Sequence, residues 1–407
     1  MRIAIIAIFL TTTAFGFVLK YLTYSRRNDP LPENVRDVFD DDTYKKNQAY
    51  GMEKIRFSIV SGIIGMTISL SFLLFNVHHW LYGFISGHTG NIYLVSLFML
   101  FAPLVVANII NRIVGIYETF VIEERYSFNK TRAGTFIVDF VKMLVMFLVI
   151  AGGLLSLFLF LRDRIGDGVS IAIFLVLIAF QFFMAFISPL LVRIIYKLTP
   201  LEDGALKRKI ESLAQRTGYR LRGIYMVDAS KRSTKLDAFA SGFGKTKTIG
   251  LFDTLVEKMT HDEIIGVLAH EIGHAKKHHI LKRSCFGLLT LAIMVAAAHF
   301  IVTMPEVSQA FGFADANAAF GIYVLFIMMS PVMLILGIPS NILSRRHEYE
   351  ADAFEREQVG KETAISALKK LYRESFGNLT PHPFVVMMEH SHPPLSERVA
   401  ALENTQS

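Results

Sequence analysis

The chain has 407 residues, of which 52% are hydrophobic, and it carries a formal net charge of +7. Its mean hydropathy of +0.42 is well above that of an average soluble protein, so an ordinary soluble domain is excluded. The one cysteine, Cys285, excludes an internal disulfide, and its position at the start of an apolar stretch predicts a small buried residue.

Seven apolar stretches are each about the 20 residues that a helix needs to cross a bilayer. They lie near 3–22, 57–77, 92–111, 136–161, 169–194, 284–304 and 318–340. The first could instead be a signal peptide. Basic residues follow it and no small-residue cleavage site is evident, so a retained helix is expected. The predicted fold class is therefore mainly α, a polytopic membrane protein with seven transmembrane helices.

Lysine and arginine are concentrated in alternate connections between these stretches. The basic connections are 23–56, 112–135, 195–283 and the tail from 344, whereas 78–91 and 305–317 carry neither residue. The positive-inside rule places the basic side in the cytoplasm. Charge that is segregated by loop fits membrane topology better than a nucleic-acid surface, so the lipid bilayer is an expected partner and nucleic acid is not.

The segment after the fifth stretch predicts a short strand followed by a helix. The alternation in KTIGLF, 247–252, suits a strand. Thr260 and Glu263 have the spacing of a capping box, and apolar residues follow at helical intervals. The helix prediction rests on this cap and periodicity, because Gly273 is itself an unfavourable helix residue.

This predicted helix carries the pattern H-E-x-x-H, within VLAHEIGHAKKHH at 267–279. Positions four apart lie one above the other on a helix, so His270 and His274 can bring two imidazoles to one ion. Glu271 lies beside the metal, where it can serve as the base for an activated water. The pattern predicts a catalytic zinc site, which usually has three protein ligands and an open position.

A third ligand on the same helix is disfavoured. His278 is again four residues on, but three ligands in a row along one helix converge poorly on a tetrahedral ion. The metzincin continuation also fails, because Lys277 stands where glycine is needed and Ile280 where the third histidine should be. His278 and His279 are therefore expected to be polar residues near a helix end.

The better candidate lies in SRRHEYEADAFEREQ, 344–358, a predicted helix with Ser344 as its N-cap. Glu348 and Asp352 are four apart and share a face. One carboxylate can bind zinc while the other accepts a hydrogen bond from a ligand histidine. Two further acidic residues are expected to be solvated: Glu350 and Glu355.

The predicted topology is consistent with a shared ion. The H-E-x-x-H helix lies between the fifth and sixth stretches, and Glu348 follows the seventh. Two crossings separate them, so both segments emerge on the same side of the membrane.

With these motifs in hand, the chain resembles the type I CAAX prenyl endopeptidases, which are integral-membrane zinc metalloproteases. Separated motifs follow in the family's order: VIEERYSFNKT at 121–131, VDASKRSTKLDAFASGFGKTKTIGLFDTL at 227–255, AHEIGH, SRRHEYEADAF, and SHPPLSERV at 391–399. The resemblance runs along most of the chain.

The resemblance implies a role for each matching position. His270, His274 and Glu348 become the ligands of one Zn²⁺ per chain, Glu271 the general base, and Asp352 the hydrogen-bond partner of a ligand histidine. His392 and Arg398 match family residues near the site that help to bind substrate or the oxyanion. Physically, SHPPLSERV predicts a proline turn leading into a short helix.

The segment Asp237, Ala238 and Phe239 matches an edge strand that is expected to pair with the extended substrate. The family commonly has His-Ser-Asn-Ala-Tyr where this chain has Lys235 to Phe239. This departure changes none of the predicted zinc ligands, but it is expected to affect which substrates are preferred.

The implied fold is a seven-helix barrel around a large chamber, closed at one end by a small α/β, gluzincin-like protease domain. The expected divisions are 1–194 for transmembrane helices one to five, 195–283 for the H-E-x-x-H segment, 284–343 for helices six and seven, and 344–407 for the segment with the third ligand.

The expected activity is peptide hydrolysis by a zinc-activated water, on prenylated CAAX-type or other membrane-associated peptides. The membrane is expected to be a bacterial inner membrane or the endoplasmic reticulum. One alternative is a quality-control protease of misfolded membrane proteins. A site-two protease is disfavoured, because AKKHH directly follows the motif and indicates the membrane interface. Seven spans are also compatible with a different class of protein, a transporter or scaffold with a structural zinc. A structural site normally has four protein ligands, however, which is one more than the three predicted.

Overall fold

The computed structural model describes residues 1–241 and 247–404, most of which are helical. The α-helices of this part are α1 Arg2–Ser25, α2 Asp41–Leu74, α3 Val77–Ser86, α4 Ile92–Tyr117, α5 Ala133–Ile165, α6 Val169–Ile195, α7 Ala205–Arg216, α8 Asp253–Lys258, α9 His261–Lys276, α10 His279–Thr303, α11 Pro305–Gln309, α12 Ala318–Val359, α13 Lys361–Ser375, α14 Pro383–Glu389 and α15 Leu395–Asn404. The strands are β1 Leu198–Pro200, β2 Gly223–Val227, β3 Ala238–Ser241 and β4 Thr248–Phe252. A π-helical segment, Glu118–Glu123, continues α4.

Six helices of the described residues are long and apolar enough to cross a membrane: α1, α2, α4 with its π-helical continuation, α5, α10 and α12. They confirm a mainly helical, polytopic membrane protein. The fifth predicted span corresponds to α6, whose described apolar stretch, Val169–Met184, is shorter. The count of seven spans therefore stays a prediction.

These long helices contact one another in a closed ring, in the order α1, α2, α4, α5, α6, α10, α12 and back to α1. In the most apolar window of α1, α2, α5 and α10, only 6% to 11% of the residues are buried, against 28% for α4 and 33% for α12. A solid bundle would bury one face of every helix, so the low burial of these four helices indicates a wall one helix thick. Such a wall fits the expected barrel.

At one end of the ring, α4 and α12 also contact each other across it. Val95 and Met99 of α4 pack there with Phe320 and Val324 of α12 in one apolar cluster. The predicted ligand Glu348 and its neighbour Asp352 lie at the opposite end of α12, near its C-terminus.

Helix α12 has 42 residues, which corresponds to about 63 Å at 1.5 Å per residue. A bilayer core is only about 30 Å thick, so the polar C-terminal part of α12 extends beyond the membrane. A separate helix starting at Ser344 is therefore wrong, since Ser344 is buried inside α12. The reason is that no glycine or proline occurs between Pro339 and Gly360 to end the helix.

The four strands form one sheet in the order β1-β2-β4-β3. β2 and β4 are parallel, and β3 pairs antiparallel with β4 at one edge of the sheet. The predicted strand at 247–252 is confirmed by β4. α9 packs against the sheet through buried apolar residues, which include Ile264, Leu268 and Ile272, and this core fixes the orientation of the H-E-x-x-H helix.

The prediction that Cys285 is buried is wrong, because its side chain is exposed near the start of α10. The neighbouring residues Leu281, Lys282 and Arg283 are exposed as well. This turn of α10 thus lies where the described helices do not cover it.

Candidate metal centre and active site

The H-E-x-x-H helix begins with the predicted capping box. The hydroxyl of Thr260 accepts a hydrogen bond from the backbone N–H of Glu263 at 3.3 Å, and the Glu263 carboxylate accepts one from the Thr260 N–H at 2.9 Å. Ser366 of α13 donates to the other carboxylate oxygen of Glu263 at 2.7 Å. The cap therefore fixes both the start of α9 and its contact with α13.

Two glycines let α9 and α12 approach closely. A Cβ atom at Gly273 would lie 3.2 Å from the Phe354 side chain and 3.3 Å from the Cα of Ala351. A Cβ atom at Gly266 would lie 2.8 Å from a carboxylate oxygen of Glu355. Glycine is unfavourable inside a helix, but a side chain at either position would push α9 and α12 apart. This contact brings α12 beside the histidines of α9.

Three side chains converge where the two helices meet. The Nε2 atoms of His270 and His274 lie 3.1 Å apart; His270 Nε2 is 3.4 Å from Oε2 of Glu348, and His274 Nε2 is 3.4 Å from its Oε1. One ligand atom from each of the three residues lies within 4.8 Å of the other two. Zinc ligands at about 2.0–2.1 Å in a tetrahedral arrangement are about 3.3 Å from one another, so this triangle of side chains is compact enough to hold one ion. The structure therefore brings together the three predicted ligands.

The chemistry of this donor set also fits a divalent cation. Two imidazoles and one carboxylate are a common catalytic zinc set. Among the described residues, the buried Oε2 of Glu348 accepts no hydrogen bond, although His270 Nε2 and Arg398 Nη1 lie 3.4 and 3.7 Å away, and a cation would satisfy it.

Asp352 lies behind His270, as the sequence predicts. Its Oδ1 is 2.9 Å from the Nδ1 of His270, the ring nitrogen that points away from the triangle. Arg398 donates to both oxygens of Asp352, at 2.8 and 2.5 Å. Both side chains are almost fully buried. This bidentate pair fixes the carboxylate that orients His270.

Arg398 and His392 differ in how free they are. Arg398 is 6% exposed and commits two guanidinium nitrogens to Asp352, while its Nη1 lies 3.7 Å from Glu348. The His392 side chain is 59% exposed, with Nε2 at 3.4 Å from Glu348. His392 is thus the one that can reach a bound substrate.

A cavity of about 400 Å³ opens beside the triangle. Its lining includes His270, Glu271, Glu348, His392, Arg398, Asp237 and Ala238. Glu271 and the start of the edge strand β3 therefore face the same space. Phe239 is paired with Gly250 of β4, and a Cβ atom at Gly250 would lie 2.3 Å from the Phe239 ring.

The three ligand side chains differ in their protonation states without a metal. Burial and the nearby His270 charge lower the pKa of His274 to about 3, so its ring is neutral. Burial opposes ionisation of Glu348, but the adjacent His270 imidazole, 3.4 Å away, lowers the pKa of this carboxyl to about 2. Burial lowers the pKa of His270, yet the adjacent carboxylates of Asp352 and Glu348 raise it to about 10. A cation that binds to the three ligands must therefore displace a proton from His270.

Burial raises the pKa of Glu271 to about 6. A carboxyl with a pKa close to neutral can both accept and return a proton, which is what a general base and acid must do.

The prediction that Glu355 is solvated is wrong, because it is 4% exposed and packs beneath α9. Burial raises its pKa to about 7. Its position could be predicted from the sequence: residues 348, 352 and 355 fall on one helical stripe, which here faces the protein.

His270 Nδ1, Asp352 and Glu355 also form a group that could hold an ion. The Arg398 guanidinium already supplies a cation to Asp352 there.

His279 lies at a helix end, as expected, but its side chain is buried, and Glu350, which was expected to be solvated, is 29% exposed and contacts it. His279 is 1% exposed, its Nδ1 lies 2.9 Å from the Nδ1 of His274, and its Nε2 lies 3.1 Å from a Glu350 oxygen. His278 is exposed, as expected, and has the left-handed φ of 57° that ends α9 and starts α10. Five residues are not a same-face spacing on one helix, so only this bend brings His279 back to His274.

Comparison with known proteins agrees with the geometry. Residues 20–194 match the model described as CAAX prenyl protease N-terminal, five membrane helices, and residues 200–406 match Peptidase family M48. CAAX prenyl protease 1 of Saccharomyces cerevisiae is 30% identical over 418 residues, covering 96% of this chain and 92% of the relative. The human CAAX prenyl protease 1 homolog is 29% identical, covering 92% and 88%.

The crystal structure of S. mikatae Ste24p has the same fold. It superposes with a TM-score of 0.93 at 30% identity and covers 99% of both chains. A metallopeptidase fold, a membrane-embedded ring and near full-length similarity therefore coincide. The chain belongs to the CAAX prenyl protease family of M48 membrane metallopeptidases.

Proposed function

We propose that the chain is a zinc metalloendopeptidase, with one Zn²⁺ held by His270, His274 and Glu348. The observation that carries this proposal is the triangle of ligand side chains, which lies beside the cavity lined by His270, Glu271 and Glu348 and would leave room there for a water or substrate on the ion. Three ligands and an open side distinguish a catalytic from a structural site. Together with the family, this favours a peptidase over the transporter or scaffold that the sequence left open.

Zinc, when bound, supplies a Lewis acid that activates water and polarises the scissile carbonyl. Glu271 accepts the proton of the attacking water and then donates it to the leaving amine. The buried position of Glu271 supports this cycle, because it brings the carboxyl pKa near neutrality.

The surrounding residues hold and complete the site. Asp352, clamped by Arg398, orients the His270 ring through its Nδ1. His392 lies at the open side, where its imidazole can donate a hydrogen bond to the oxyanion. Arg398 acts mainly through Asp352, because its nitrogens are committed to that carboxylate.

We infer that the substrates are C-terminal peptides of prenylated, CAAX-type proteins, delivered in an extended conformation to β3. The named relatives are CAAX prenyl proteases. Among the residues that the structure describes, β3 is an edge strand beside Glu271, so its outer side can pair with a substrate backbone. The ring of apolar helices offers a surface for the lipid chain.

We also propose that the segments 195–283 and 344–407 form the protease part, on the cytoplasmic side. The basic loops support this orientation.

The test is cleavage of matched farnesylated and unprenylated CAAX peptides by the purified protein, with and without a zinc chelator. We expect faster cleavage of the farnesylated peptide, and none with chelator. Glu271→Gln should retain zinc and lower kcat by about 10²–10⁴-fold. Glu257→Gln, at an exposed position, is the matched control. Normal turnover by Glu271→Gln would refute the assigned base, and equal rates on both peptides would refute the prenyl preference.

A further inference from the structure

A second buried contact runs away from the triangle, on the side opposite Asp352. The Nδ1 of His274, the nitrogen that does not face the triangle, lies 2.9 Å from the Nδ1 of His279. The Nε2 of His279 lies 3.1 Å from Oε2 of Glu350. A continuous path of side chains thus leads from the triangle through two imidazoles to a carboxylate.

We propose that His279 and Glu350 are positioning residues that fix the ring orientation and tautomer of His274 for metal binding. This inference rests on the proposed metal site. Asp352 orients the ring of His270, and the inference assigns the same task for the ring of His274 to His279 and Glu350.

The proton positions along this path follow from the hydrogen-bond partners. Glu350, as an ionised carboxylate, only accepts, so the Nε2 of His279 carries the proton. The Nδ1 of a neutral His279 is then an acceptor, and the Nδ1 of His274 must donate to it. The lone pair of His274 is left on Nε2, the atom that lies 3.1 Å from the Nε2 of His270. The path therefore selects the tautomer that a metal requires.

His279 is itself held rigidly. It is 1% exposed, and its ring stacks on His347 with centroids 4.0 Å apart and an interplanar angle of 9°. Glu350 is held in turn by Arg346, whose Nε donates to it at 3.2 Å. A rigid acceptor lowers the entropy that His274 loses on binding the ion.

The path also joins three elements. His274 lies near the end of α9, His279 at the start of α10, and Glu350 on α12. The left-handed residue His278 makes the turn between the first two. A shift of α10 relative to α9 would therefore change the orientation of a metal ligand.

The experiment measures zinc affinity by chelator competition, together with the thermal unfolding midpoint of the metal-free protein. His279→Phe keeps a flat ring against His347 and removes the acceptor, and Glu350→Leu removes the carboxylate. We expect each to weaken zinc binding by about 10–100-fold, the usual effect of losing such a partner. Glu350→Gln keeps an acceptor oxygen and should stay close to wild type.

His278→Asn is the matched control, because the residue is exposed and asparagine tolerates a left-handed backbone. This variant should retain wild-type zinc affinity.

A lower unfolding midpoint of the metal-free variants with unchanged zinc affinity would show a merely structural role and overturn the inference. If His279→Phe does not fold, the Glu350→Leu and Glu350→Gln pair decides, since equal affinities of the two would also overturn it. Failure of the proposed function looks different: wild type itself would then bind no zinc, or His274→Ala would bind it normally.

Discussion

Individual buried charges determine how the candidate site is built. Asp352 and Arg398 are 2% and 6% exposed and form a bidentate pair directly behind His270. A buried ion pair contributes little net stability, but losing one partner leaves an uncompensated charge. The pair is therefore a strict positional constraint on α12 and α15.

Arg398→Leu should lower the stability of the protein by about 3–5 kcal/mol, because Asp352 stays buried without its cation. The thermal unfolding midpoint of the detergent-solubilised protein is the measurement. Arg222→Leu, at an exposed position, should leave it unchanged. Adding Asp352→Asn to Arg398→Leu should restore part of the stability, and no recovery would show that charge is not the cause.

His392→Ala distinguishes an open from a closed metal site. His392 Nε2 lies 3.4 Å from Glu348 yet the side chain is 59% exposed, so we expect normal zinc affinity with a lower kcat. Zinc affinity and kcat are measured on the same preparation. A loss of affinity as large as that of His274→Ala would make His392 a fourth ligand and the site structural.

Contacts between α9 and α12 determine whether the residues of the site meet. The sequence predicts the helix that starts at the Thr260 cap and the ligands on each segment, because caps and spacing are local properties. It does not predict that α12 runs unbroken from the membrane, nor that the bend at His278 buries His279. Both depend on packing between distant segments, which periodicity alone does not report.

Gly273→Val tests this close approach. Its side chain would enter a space where neighbouring atoms lie at 3.2–3.3 Å from the Cβ, and such overpacking costs about 1–3 kcal/mol. Since this cost opposes the approach of Glu348 to the histidines, zinc affinity should fall by about tenfold. Gly337→Val is the control, because a Cβ there meets nothing within 4 Å. Unchanged zinc affinity would mean that the separation of α9 and α12 does not determine the distances between the three ligand side chains.

At the scale of the molecule, the long helices form a wall, and the sheet with helix α9 lies at one end of it. Composition and apolar periodicity already predict a polytopic helical protein, since a bilayer demands helices of that length. The closed order of helix contacts could not be predicted from any single stretch. It depends on which face of each helix packs against its neighbours, and no local pattern in the sequence predicts those faces.

The proposed orientation predicts which residues are accessible from each side. In a Cys285→Ser background, Gly90→Cys should react with a membrane-impermeant maleimide from the non-cytoplasmic side. Glu362→Cys, whose parent side chain is 85% exposed on α13, should react only from the cytoplasmic side. Labelling of sealed vesicles of known orientation measures this. The reverse pattern would invert the topology.

The most direct test of the account is an anomalous-diffraction map of the crystallised protein, collected at the zinc absorption edge. The account predicts one peak within about 2.0–2.2 Å of His270 Nε2, His274 Nε2 and a Glu348 oxygen, with no fourth protein ligand. A peak elsewhere, or a fourth side chain closing the coordination, would contradict it.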